Sequence, residues 1–181
     1  TEALIRRYRR IARGGLGAMV VEAAVVQPSR SSFNLRISED RWVEPLRALV
    51  DAVRTENAEL RVGLQIMHFL KISRSGWRQR VEDLSREEIL AIPEMFAAGA
   101  ARAQAAGFDF VEVHMAHFTT LASFLALGNR RTDAFGGDLS DRLTLPLMVL
   151  QEVRNAVGPD YAVEVRINGE DFTRRGNTIL Q

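Results

Sequence analysis

The sequence predicts an α/β architecture of parallel strands alternating with long helices, and three observations carry that expectation. Short apolar runs begin near residues 18, 61, 109 and 161, each separated from the next by a helix-length amphipathic stretch. Such alternation is expected of βα units feeding a parallel sheet. The runs are also apolar at consecutive positions, as in strands covered on both faces. Finally, the 181 residues contain no linker or low-complexity segment, so residues 1–181 are expected to form a single domain. A full (β/α)8 TIM barrel takes about 250 residues. With four strands legible, the expected fold class is an incomplete barrel.

The elements follow in order. Residues 2–13 form a helix whose Leu4, Ile5, Tyr8, Ile11 and Ala12 make one apolar stripe, ended by Gly14-Gly15. Arg6, Arg7, Arg9, Arg10 and Arg13 on its other face also suit a targeting peptide, but the stripe favours a packed helix with a solvated basic face. Ala18 to Val26 is the first strand, interrupted by Glu22, and a Ser-rich loop runs from Gln27 to Ile37. A helix covers residues 39–55, restarting at Pro45, with Leu46, Leu49, Val50 and Val53 inward. Arg61 to Ile66 is the second strand, followed by a basic loop to Leu84. Ser85 with Glu88 makes a capping box for a helix whose stripe is Ile89, Ile92, Phe96, Ala97, Ala100 and Ala103, with a break or kink at Pro93. Phe108 to Val113 is the third strand. Residues 139–157 form a helix with Leu143, Leu147, Leu150, Val153 and Val157 inward and a kink at Pro146, and Tyr161 to Ile167 is the fourth strand.

Composition narrows the function. A net charge of +1 gives no argument for nucleic-acid or membrane partners, and no apolar run approaches a membrane span. The absence of cysteine removes disulfides, thiolate zinc and cysteine-ligated iron–sulfur clusters from these residues, and the cytoplasm is the expected compartment. The chain opens on Thr1 and stops at Gln181 inside an apparent element, as a cut piece would.

The densest signal lies at residues 107–142: Gly107-Phe108-Asp109, a strand, His114-x-x-His117, then Asn129-Arg130-Arg131-Thr132-Asp133-x-x-Gly136-Gly137 before Arg142. This order and spacing resembles the signature of the old yellow enzyme family, the FMN-dependent ene-reductases and 2,4-dienoyl-CoA reductases. The resemblance spans nearly the whole chain. It implies a barrel running from its first helix to just after its fifth strand, with the first strand and the last three missing. The implied activity is NAD(P)H-dependent, FMN-mediated reduction of an activated C=C bond in a small unsaturated carbonyl or thioester, with nicotinamide and substrate using one site in turn.

In a barrel, strand carboxyl ends converge on one rim, which here collects Glu22-Ala23, Gln65, His68, His114, His117 and Arg166. An amide both donates and accepts, as a flavin pyrimidine edge requires. A fixed cation stabilises charge developing beside it, and imidazoles can polarise a carbonyl. The resemblance implies those roles by position: Gln65 and Arg166 contact the flavin, Ala23 lies near its ring, and His114 and His117 grip the substrate. On the residues alone, Gln65 also reads as a polar strand cap, the histidines as core residues or two metal ligands lacking a third, and Arg166 as a partner of Glu164 or Glu112. No metal is expected. One departure matters: Thr119 stands where the family has its proton-donating tyrosine, and Phe118-Thr119 replaces the usual Gly-Tyr. A threonine hydroxyl is a far weaker acid than a phenol of pKa about 10. The charged loop of Arg130, Arg131, Asp133 and Arg142 is expected to brace residues 114–138 through ion pairs. Lys71, Arg74, Arg78 and Arg80 around Trp77 suit either solvent or an anionic ligand. The competing readings are a flavin-free barrel lyase or isomerase, which needs a lysine or carboxylate pair that only Glu22 hints at, and a fragment without activity of its own. Open strand edges would also invite a homo-oligomer.

Overall fold

The four apolar runs pair into one all-parallel sheet. The computed structural model describes residues 2–28, 34–73, 75–172 and 176–178; the Ser-rich residues 29–33, Arg74 and the chain ends lie outside that set. The strands are β1 (Ala18–Val25), β2 (Leu35–Arg36), β3 (Arg61–Met67), β4 (Phe110–Met115) and β5 (Ala162–Ile167), in the spatial order β2-β1-β3-β4-β5. Four of them were expected. The additional β2 has two residues, too few for any periodicity, and pairs only with the end of β1 through Ala24 and Val25. The helices are α1 (Glu2–Ala12), α2 (Val43–Glu56), α3 (Arg86–Ala105), α4 (Thr120–Leu125) and α5 (Leu139–Val157).

Strand alternation gives the sheet two unlike faces. Val62, Leu64 and Ile66 of β3 and Val111 and Val113 of β4 are buried in one core with α2, α3 and α5. The other face carries Gly63 and Gln65, Phe110, Glu112 and His114, and Ala162, Glu164 and Arg166, aligned across strands by the register Gly63–Phe110–Ala162 and Gln65–Glu112–Glu164. At Gly63 an added Cβ would fall 2.1 Å from the Phe110 ring, so this glycine makes room for the aromatic floor beneath the polar row. Among the described residues β5 is the last strand of the sheet, and its Val165 and Ile167 stay 42% and 61% exposed.

Helix-forming signals are obeyed with few exceptions. Ser85 caps α3 reciprocally with Glu88, at 3.1 and 2.9 Å. Asp138 caps α5 by accepting from the Asp141 N–H, and Gly158 ends it at φ +80°. Leu46, Leu49, Val50 and Val53 of α2 are buried as expected, although the segment starts with a 3-10 turn (Asp40–Trp42) and continues as α-helix from Val43. Pro93 and Pro146 do not break α3 or α5, which run through them. Leu147 was expected inward and is 57% exposed, because Leu145 and Val149 take the buried stripe. No helix of the described residues is long and apolar enough to cross a membrane.

Helix α1 is packed through Tyr8 and Ala12, with its arginines outward. Arg13 and Arg9 both reach Glu56 at the end of α2 and hold that carboxyl down to about 2. The register of β1 on β3 jumps from Val21–Leu64 to Ala24–Ile66, a bulge that takes Glu22 out of the ladder. Its N–H donates instead to the Tyr8 hydroxyl at 2.8 Å, and its carboxylate pairs with Arg7 at 3.1 Å.

After β4 the chain turns through His117 and Phe118 at φ +53° and +60°, the left-handed region that non-glycine residues enter at a cost. Within residues 114–138, where the sequence had offered no element, lies α4. Thr120 ties that helix to the end of β3: its N–H donates to the His68 carbonyl at 2.9 Å, and its hydroxyl meets His68 Nδ1 at 2.8 Å. The Arg–Asp loop braces the same region mainly through carbonyl acceptors. Arg131 donates to Val81 and Leu84 carbonyls and pairs with Asp133; Arg142, 5% exposed, donates to the carbonyls of Leu125 and Gly137. Asn129 holds the Phe124 and Phe135 carbonyls. A Cβ at Gly136 would sit 2.6 Å from the Arg131 carbonyl oxygen, so this turn closes only over glycine.

Three outcomes follow from these contacts. Gly136→Ala should cost about 1–3 kcal/mol by overpacking against backbone, read from chemical denaturation. Phe118→Gly should gain about 1 kcal/mol, because Phe118 is 88% exposed and has little packing to lose, raising Tm by about 2–4 °C. Burial depresses the His68 imidazole from 6.5 to about 4. The unfolded chain therefore takes up a proton at His68 as pH drops below about 6.5 while the folded chain resists until about 4. The associated stability is complete above 6.5 and falls away through that window, by up to about 3 kcal/mol. Stability measured across pH 7 to 4 should show a shallower slope in His68→Asn, whose amide retains a partner for Thr120.

Candidate functional site

Parallel pairing brings the rim together one residue per strand. Gln65 is third from the end of β3, while His114 and Arg166 are each next to last in β4 and β5 and are register partners. His114 was expected just past the strand and instead lies within it. Gln65, His114 and Arg166 share one face of the sheet, at its carboxyl end. His117 follows in the loop, its ring 5.2 Å from that of His114 and edge-on to it. Its backbone N–H donates to Asn168 Oδ1 at 3.3 Å, which links the loop to the segment after β5. Ala23 sits inside the β1 bulge, half-buried, at the same end of the sheet but two strands away from β4.

The electrostatics distinguish the members. Burial lowers the His114 pKa, the charges of His117 and Arg166 lower it further, and Glu112 opposes them. His114 is thus a neutral imidazole at pH 7, 6% exposed, and its buried Nδ1 has no hydrogen-bond partner among the described residues. Arg166 forms no ion pair with any described residue, so the expected alternative of pairing with Glu164 or Glu112 is not realised. Gln65 donates from Nε2 to a Glu112 carboxylate oxygen. An amide with a free acceptor, an unpaired guanidinium and an orphaned buried ring nitrogen together fit a planar ligand with alternating acceptors and donors. Among the described residues no group of three or more His, Cys, Asp or Glu side chains is arranged to hold a metal.

Two rim candidates point elsewhere. Glu22 is occupied by Arg7 on the α1 side, and His68 is turned to α4. Thr119 is 5% exposed and donates its hydroxyl hydrogen to the His114 carbonyl at 3.1 Å. Its position holds a loop tie and no acid. Glu112 and Glu164 had been weighed only as partners of Arg166; their alignment in one row with Gln65 comes from the register of three strands.

Three comparisons with known proteins bear on the site. Residues 71–181 match the model of the NADH:flavin oxidoreductase / NADH oxidase family. The chain is 35% identical to a metal reductase of Desulforamulus reducens, covering 98% of this chain and 29% of that protein. It is 30% identical to an NADPH dehydrogenase of Halalkalibacterium halodurans, covering 97% and 55%. The structure of morphinone reductase in complex with tetrahydroNAD superposes with a TM-score of 0.75 at 26% identity, over 91% of this chain and 54% of that one. The chain thus spans about half or less of the length of these relatives. With its parallel sheet, its rim and a match over more than half its residues, the chain belongs to the NADH:flavin oxidoreductase / NADH oxidase family, whose cofactor is FMN.

Proposed function

We propose that this chain supplies the flavin-facing and substrate-facing rim of an FMN-dependent NAD(P)H oxidoreductase that reduces a C=C bond conjugated to a carbonyl or thioester. The observation that carries the reading is the convergence of Gln65, His114 and Arg166 on one face at the strand ends, with His114 Nδ1 buried and unpartnered. FMN, when bound, supplies a ring that accepts and releases hydride. Gln65 would hold the pyrimidine edge of that ring and Arg166 the side where negative charge builds up, while the small Ala23 leaves room beside it. His114 and His117 would donate hydrogen bonds to the substrate carbonyl, drawing electrons from the conjugated bond. A neutral His114 suits that task, since it donates without ion-pairing.

The balance of the reaction is one hydride from NAD(P)H and one proton, which together convert C=C into CH–CH. Thr119 does not deliver the proton, because its hydrogen is committed to the backbone and its acidity is too low. Water is the proton source that needs no further group on this rim. The lyase reading loses Glu22 to Arg7, and the NADPH dehydrogenase relative supports nicotinamide as reductant.

FMN titrated into the purified protein, followed by quenching of flavin fluorescence, tests the reading. Gln65→Leu and Arg166→Leu should each raise the FMN Kd about tenfold or more, roughly 1.4 kcal/mol or above. Unchanged affinity in both variants would remove their assigned roles, and a protein that takes up no FMN would overturn the reading itself.

A further inference from the structure

Glu112 occupies a position that ordinary sheet packing does not explain. It lies on the same face as Gln65 and His114, in register with Gln65 on one side and Glu164 on the other. Like charges directly opposite on neighbouring strands are unfavourable. No described lysine, arginine or histidine forms an ion pair with Glu112 or Glu164. The compensation that Glu112 does receive is the N–H of Gln65. A position that breaks a local rule without a local gain in stability commonly belongs to a functional site.

The chemistry of that contact is one-sided. A carboxylate can only accept, whereas the two ends of a primary amide differ, one donating and the other accepting. Beside a carboxylate the amide is stable in one of its two orientations, with NH2 toward Glu112. The flipped state would press the Gln65 carbonyl oxygen against a carboxylate oxygen and leave both without a hydrogen. Gln65 Oε1 and the second N–H then remain unclaimed by any described residue. They form one acceptor beside one donor, the complement of a ring N–H next to a ring carbonyl.

We infer that Glu112 is a positioning residue for the flavin site: it fixes the amide of Gln65 in the one orientation that presents its carbonyl oxygen and a single N–H to the pyrimidine edge of FMN. This inference rests on the flavin reading of Gln65. Glu112 does not touch the ring; it acts through Gln65. An isosteric glutamine at position 112 keeps the volume but can face either end of the amide, so the orientation is no longer selected.

A double-mutant cycle on FMN binding tests this. Glu112→Gln should raise the FMN Kd three- to tenfold in the wild-type background and leave it unchanged in the Gln65→Leu background, where no amide remains to orient. A Glu112→Gln effect of the same size in both backgrounds would reveal a merely structural role and overturn the inference. No effect in the wild-type background, with Gln65→Leu still weakened, would overturn it while leaving the flavin reading intact. If Gln65→Leu itself binds FMN normally, the flavin reading of Gln65 falls first. A second measurement needs neither flavin nor a foldable variant at position 112. The Gln65 side-chain NH2 resonances, assigned by their loss in Gln65→Leu, should show one downfield, exchange-protected proton in the wild-type protein. Two solvent-like protons there would overturn the inference.

Discussion

The structure depends on the fixed register of a parallel ladder. Because each strand runs the same way, every strand contributes its last inward residue to the same edge. The pairing of Gln65 with Glu112, and of His114 with Arg166, is set by backbone hydrogen bonds far more numerous than the side-chain contacts it produces. A slip of one residue in β4 would turn Glu112 and His114 to the apolar side and bring Val111 and Val113 to the rim. The complete burial of those valines against α3 and α5 guards against that slip. The core, in this sense, aims the polar groups.

Much of this was legible in the residues. The capping box at Ser85, the stripe of α2 and the limits of α5 follow from local rules that tertiary structure left in place. That Gln65, His114 and Arg166 share one face at the carboxyl end of the sheet could be read from strand position. What escaped notice was non-local. The two-residue β2 is defined by its pairing with Ala24 and Val25 of β1, and α4 is tied through Thr120 to His68, 52 positions away. The Glu112–Glu164 row required cross-strand register, which periodicity within one strand does not contain. A break or kink was expected at Pro93 and a kink at Pro146 on local grounds, and both helices continue through these residues as single elements.

The arginine-rich loop shows how a charged sequence can brace without relying on charge pairs. Arg142 donates to two carbonyl oxygens and Arg131 divides its bonds between two carbonyls, at 2.7–3.0 Å, and the Asp133 carboxylate. A guanidinium is suited to this because its donors are fixed in a plane and it never loses its proton. Bonds of this kind are also less exposed to screening by salt than surface ion pairs. The loop that presents His117 is therefore held by geometry as much as by electrostatics.

The Tyr8 hydroxyl that receives the stray N–H of the β1 bulge makes the opening helix part of the rim's architecture. Without that acceptor, Glu22 would leave a backbone donor unsatisfied, and the simplest repair would restore a regular ladder and rotate Ala23 and its successors by one pleat. A modular boundary drawn at Gly14-Gly15, the natural place to cut by eye, would sever the clasp that keeps the following strand out of step with its neighbour.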